Sequence, residues 1–186
     1  MMVTVPHIAV ASYPDALPFI YGIRHAPDFR VGELLAATPE RCAELFAERE
    51  TDLALVPAAL VPDLHDADIV TEYCVGGVPA SKEALLASDD ALVGAWKPFG
   101  KLPCAFAVWA AHADTDPDAV ETLQHALTYG LEHGYEAILE SAFAADPGRA
   151  YAELAHFDYI FDNQKDKALK KFWNSGLKAV PRANPG

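Results

Sequence analysis

Three short runs constrain this chain more than anything else in it. Ile8–Ala11, Leu53–Pro57 and Cys104–Ala111 are apolar at every position. Runs of four to eight such residues have no polar face to turn to water, so they read as strands covered on both sides. A sheet buried on both faces needs helices above and below it. The fold class is therefore α/β, a three-layer, open, mostly parallel sheet with helices on both faces.

The intervening segments supply those helices. Pro18–Ile23 reads as a short helix stopped by Gly22 and the Pro27 region, and Phe29–Ala37 as a second strand. Thr38-Pro39 is a helix start, with Thr38 as N-cap and Pro39 in the first turn. That helix runs from Glu40 to about Arg49 and aligns Cys42, Leu45 and Phe46. With Leu53–Pro57 this makes β-α-β-α-β with short connections, the pattern of a right-handed parallel sheet. A second short helix or turn at Ala58–Val61 and a strand at Asp68–Val75 follow, the strand breaking at Gly76-Gly77. Ser81–Ser88 has helical composition, Asp89–Gly94 a stub of strand, and Trp96–Pro103 the Pro and Gly of a loop. Beyond Cys104–Ala111 the chain reads as helical. Asp116-Pro117 opens a helix to about Phe143, Asp146-Pro147 another, and Asp162 a last one with Ala168, Leu169, Phe172 and Trp173 as its core stripe. The Lys165–Lys171 charges read as the solvated face of that helix, and Pro181–Gly186 as a frayed tail.

The 186 residues, 52% of them hydrophobic, are enough for one domain with a proper core. A net charge of −13 argues against nucleic acid, which attracts a basic face. No apolar run approaches the roughly 20 residues of a membrane span, and Met1–Pro6 lacks the pattern of a signal peptide. Cys42, Cys74 and Cys104 have neither CxxC nor Cys/His ligand spacing, so they read as buried thiols in a reducing compartment. The expectation is a cytoplasmic protein without a metal site.

The candidate site begins where the first strand ends. Ser12, Tyr13 and Asp15 follow Ile8–Ala11 immediately and precede the first helix. Open α/β sheets bind ligands at that end of their strands, where the helix N-terminus also favours an anion. Ser12 and Tyr13 are thus either ligand donors or plain turn residues, and Asp15 is either a reacting group or a helix cap. Ser81 is a ligand contact or a cap. Thr38 is a further binding candidate, with simple N-capping as its plainer role. His7 abuts the strand and reads as a packed neighbour. The sequence holds no Ser/His/Asp set, P-loop or zinc signature.

Ser12-Tyr13-Pro14-Asp15-Ala16-Leu17-Pro18-Phe19 resembles the Ser-Tyr-Leu-Asn-x-x-Pro-Phe opening of the chorismate dehydratase family, which serves menaquinone biosynthesis by the futalosine route. Pro39–Ala43, Leu55–Ala58, Tyr73–Gly77, Trp96-Lys97, Gly100–Pro103, Phe106–Trp109, Gly130–Glu132 and Asp158–Asp162 follow in that family's order. The resemblance implies one lobe of a type II periplasmic-binding-protein-like fold plus C-terminal helices. It implies a lyase that removes water from chorismate to give 3-[(1-carboxyvinyl)oxy]benzoate, with no metal and no organic cofactor. The partner it implies is a small carboxylate, while charge and hydropathy argue against nucleic acid and a membrane. Two departures stand out. Asp15 occupies the position of the family's catalytic Asn, and a carboxylate has no N–H to donate. The second lobe is mostly missing: residues 76–103 are a shortened remnant, nothing like the family's Ser-Arg-Thr-Ser stretch is present, and residues 112–180 are expected to pack back on the first lobe. Both departures lead to an expectation of weak or lost turnover. The alternatives are a one-lobe module that binds a small carboxylate without turnover, and an interaction module that pairs as a homodimer through the exposed lobe-facing surface.

Overall fold

The computed structural model describes residues 5–77 and 103–175. The readings made for Ser81, Ser81–Ser88, Asp89–Gly94 and Pro181–Gly186, and nearly all of the lobe remnant, lie outside those residues. The first half alternates as the apolar runs require: β1 (His7–Ala11), a 3-10 turn (Pro14–Ala16), α1 (Leu17–His25), β2 (Glu33–Ala37), α2 (Pro39–Ala47), β3 (Leu53–Pro57), a second 3-10 turn (Ala58–Asp63) and β4 (Ala67–Gly77). The second half comprises β5 (Cys104–His112), α3 (Pro117–Glu132), α4 (Gly134–Leu139), α5 (Pro147–Leu154), β6 (Asp158–Ile160) and α6 (Asn163–Asn174).

The six strands form one sheet in the order β2-β1-β3-β5-β4-β6. β1 pairs in parallel with β2 and β3, while β5 runs antiparallel to both β3 and β4, and β6 antiparallel to β4. β1 to β4 therefore share one direction and β5 and β6 oppose it. The three wholly apolar runs occupy the centre, where burial on both faces is greatest, and β3 is buried along its whole length.

Side-chain parity on β5 separates the two covering layers. Trp109 meets Phe19 of α1 edge-on at 5.8 Å, whereas His112, of opposite parity, stacks on Phe46 of α2 at 3.9 Å. α1 and α2 thus cover opposite faces.

Local chemistry explains where element bounds differ from the sequence reading. α1 continues through Gly22 to His25, because Gly22 lies against the backbone of α3 and serves close packing rather than termination. β2 begins at Glu33: Phe29 spends its amide on the Ala26 carbonyl within the preceding loop, and the Gly32 amide meets the Pro6 carbonyl just ahead of β1. The helix expected to reach Phe143 divides at His133, whose φ of −120° and ψ of 35° are not helical. β4 carries a bulge between Val70 and Cys74, where Thr71 sits at φ 67° and its hydroxyl bonds the backbone of Tyr73.

Candidate functional site

The direction of β1 to β4 brings their carboxyl ends to one rim. Ala11 and Ala37 are register partners at the ends of β1 and β2, so Ser12 and Thr38 emerge side by side. Ser12 donates both its amide and its hydroxyl to the Ala37 carbonyl, at 3.0 and 3.4 Å. Its exposed side chain lies on the rim and retains acceptor capacity. Tyr13 is half-buried beside it and its carbonyl closes the turn by accepting the Ala16 amide. β4 ends at Gly77 opposite Cys104, the first residue of β5, so the chain leaves and re-enters the sheet at this rim.

Asp15 is a buried carboxyl group at the rim, with 4% of its surface exposed. It is not a cap: it lies within the 3-10 turn, and neither that turn nor α1 has a side-chain cap bond. Tyr159 of β6 donates its hydroxyl to the Asp15 carbonyl at 2.7 Å. Burial first, then the nearby Asp15 and Cys74, hold that phenol well above its usual range, so it remains a donor across neutral pH. Thr38 does cap its helix, accepting the Arg41 amide at 3.2 Å. The structure thus gathers Ser12, Tyr13, Asp15 and Thr38 on one rim.

Two rim residues escaped the sequence reading. One is Tyr159, carried by a three-residue strand too short to show period-two patterning. The other is Lys165, which is fully buried rather than part of a solvated face. Its ammonium lies 2.6 Å from Asp158 and 3.7 Å from Asp162. The spacing holds the signal: Lys165 precedes Ala168, Leu169 and Phe172 by three, four and seven residues, the same stripe of α6. Lys167, Lys170 and Lys171 do face water. Burial pulls the Asp158 carboxyl upward, but the Lys165 hydrogen bond, the Ile160 amide and the Lys165 charge outweigh it and hold the group below the usual carboxylate range.

Gly76 sits where these parts converge. A Cβ there would meet the Cys104 carbonyl at 2.7 Å, the Asp158 carbonyl at 2.9 Å and the Lys165 side chain at 3.0 Å. Only glycine lets β4 pass between β5, β6 and α6 at that point. The thiols are unreactive in character: burial pushes Cys74 up to about 12 against the opposing pull of Lys165, and pushes Cys42 up to about 12 as well. Among the described residues no three His, Cys, Asp or Glu side chains converge as a metal site, and no helix is long and apolar enough to cross a membrane.

Residues 6–90 match a family model described as menaquinone biosynthesis, which bears out the resemblance to the chorismate dehydratase family for that part of the chain. A search of curated proteins returned no match. Among solved structures, protein AF1704 from Archaeoglobus fulgidus aligns with TM-score 0.67 at 13% identity over 91% of this chain and 95% of its own. A Candida albicans gene product, described as having the generic periplasmic binding protein fold, aligns with TM-score 0.61 at 13% identity over 99% of both chains. The ligand binding component of an ABC-type import system from Staphylococcus aureus, described with zinc bound, gives TM-score 0.61 at 9% identity over 94% of this chain and 92% of its own. At these identities the likeness establishes the fold, which is that of periplasmic binding proteins.

Proposed function

We propose, from the menaquinone-biosynthesis match over residues 6–90 as premise, that the rim binds chorismate and removes water from it slowly. The observation that carries this reading is the placement of Ser12-Tyr13-Pro14-Asp15. The stretch that resembles the family's catalytic opening stands at the carboxyl end of a central strand, with Asp15 buried and its carbonyl held by the Tyr159 hydroxyl. Chorismate carries two carboxylates, one ring hydroxyl and a ring hydrogen beside it. Loss of that hydrogen and hydroxyl as water makes the ring aromatic, so the chemistry needs orientation and charge placement more than a strong catalyst. Ser12 and Tyr13 offer hydroxyls to the substrate, and the amino end of α1 favours its negative charge.

Asp15 sets the rate. An Asn at this position, as in the family, has an N–H to donate, whereas an ionised Asp15 offers only acceptors and repels a dianion. The test is to incubate the protein with chorismate, follow 3-[(1-carboxyvinyl)oxy]benzoate by chromatography, and measure affinity by calorimetry. Micromolar-to-millimolar binding with slow turnover, and a rise in rate for Asp15→Asn, is the expected result. Turnover by the natural protein at an ordinary enzyme rate would overturn the assignment of Asp15 as the limiting group. Absence of chorismate binding would overturn the function.

The replacement of Asn by Asp15 also favours a second reading, in which the rim holds a small carboxylate without turning it over. It predicts binding that Asp15→Asn strengthens while product stays absent from both proteins.

A further inference from the structure

Nothing in the proposed chemistry uses β6 or α6, yet both deliver polar groups to the rim. Tyr159 reaches the Asp15 carbonyl at 2.7 Å. Its ring meets Phe19 of α1 edge-on at 5.3 Å, so the phenol is fixed from both its ring and its oxygen. Asp158, its neighbour in β6, is the partner of the buried Lys165 at 2.6 Å. The Asp158 carboxylate also accepts the Ile160 amide at 3.0 Å, so one carboxylate ties α6 to β6 on either side of Tyr159. The C-terminal elements thus hold one end of a strut whose other end is the Asp15 turn.

We propose that Tyr159 is the positioning residue of the rim: its hydroxyl fixes the Pro14–Ala16 turn, and hence the Asp15 side chain, while the Lys165–Asp158 pair fixes Tyr159. This rests on the function proposed above only in naming the ligand; the positioning itself is read without one. The mechanical logic is direct. Within this three-residue turn the Ala16 and Leu17 amides bond the Tyr13 and Pro14 carbonyls. A donor from a distant element ties that turn to the far end of the chain, and the site is then organised before ligand arrives.

The molecule contains its own control. Tyr73 also packs against Phe19, and its hydroxyl also makes a short half-buried hydrogen bond, 2.6 Å to Thr128, but that bond joins β4 to α3 and not to the rim. Tyr159→Phe and Tyr73→Phe each keep the ring and lose one such bond, so a purely structural role makes them equivalent. The experiment measures amide exchange at Ala16 and Leu17 and the affinity for chorismate in both variants. Tyr159→Phe is expected to speed exchange at those two amides about tenfold and to raise the Kd about tenfold, the change associated with one lost hydrogen bond. Tyr73→Phe is expected to leave both unchanged. Lys165→Met, which frees Asp158 without touching the Tyr159 oxygen, is expected to speed the same exchange about threefold. Equal exchange at Ala16 and Leu17 in the two Phe variants would overturn the positioning role. A natural protein that fails to bind chorismate sinks the proposed function alone, because the exchange comparison still decides for or against Tyr159.

Discussion

The position of the rim depends on how closely α1 lies on α3, and that contact can be perturbed one carbon at a time. A Cβ added to Gly22 would lie 2.0 Å from the Ala126 carbonyl oxygen and 2.8 Å from the Gly130 amide, and one added to Gly130 would lie 1.9 Å from the Pro18 carbonyl oxygen. Ordinary contact begins at 3.4 Å, so Gly22→Ala is short by about 1.4 Å. The obstructing atoms are helix backbone on both sides and cannot swing away, so the helices must separate. Separation by an ångström forfeits a quarter to a half of the dispersion energy along the seam, where Phe19, Leu123, Ala126 and Leu127 are all at most 1% exposed. Overpacking of this severity costs about 3 kcal/mol or more, against about 1 kcal/mol gained by replacing helical glycine with alanine. The net loss of about 2–3 kcal/mol lowers Tm by about 4–12 °C in a chain of this length. Gly148, in α5, has nothing within 4 Å of the same added carbon. Gly148→Ala therefore keeps only the conformational gain, about 0.5–1 kcal/mol, and raises Tm by about 1–4 °C. Thermal melts followed by circular dichroism would read both. Shifts of the same sign in the two variants would refute the claim that the α1–α3 seam is set by backbone contact.

Three further outcomes follow from the buried ionisable groups. Lys165 is sealed from water while Asp158 is half exposed, so the two halves of the pair are not equivalent. Asp158→Ala strands an ammonium whose remaining partner is 3.7 Å away and is expected to cost about 3 kcal/mol, whereas Lys165→Met leaves carboxylates that water can reach and is expected to cost under about 1.5 kcal/mol; urea titration showing the reverse order would refute this. The thiols of Cys42 and Cys74, raised in the folded protein to about 12, ionise near 8.5 when unfolded. Their contribution is therefore fully present below about pH 8.5 and is lost as pH rises toward 12, so urea midpoints are expected to fall over that window. The same groups are expected to react with a disulfide reagent at pH 8 at least a hundredfold more slowly than in urea, and equal rates would refute the assignment.

The sheet was legible because burial on both faces leaves an unbroken apolar run that no other element needs. Ile8–Ala11, Leu53–Pro57 and Cys104–Ala111 are three of its four central strands. The caps were legible for a related reason: Thr38, Asp116 and Asp162 each accept an amide two or three residues ahead, a bond made within one turn. What stayed hidden depends on partners far along the chain. The antiparallel entry of β5 between β3 and β4 is a matter of where the chain returns after Gly77, and composition carries no sign of direction. Gly22 looked like a helix stop because its true partner, the backbone of α3, lies about a hundred residues on.

The candidate site divides along the same line. Ser12, Tyr13 and Asp15 could be found because they follow directly on a strand whose burial is written in its own residues. Tyr159 could not, because its bond to Asp15 spans 144 residues. Lys165 is the instructive intermediate, since its place on the Ala168, Leu169 and Phe172 stripe is local information. A lysine on an apolar stripe is ordinarily read as a long side chain reaching out to water. It stays in because Asp162 opens the helix three residues before it and Asp158 stands four residues earlier, which together surround the ammonium with acceptors. Acids clustered just ahead of a helix usually answer its dipole. Here they also neutralise a buried cation, and that second duty anchors the strand from which Tyr159 reaches the rim.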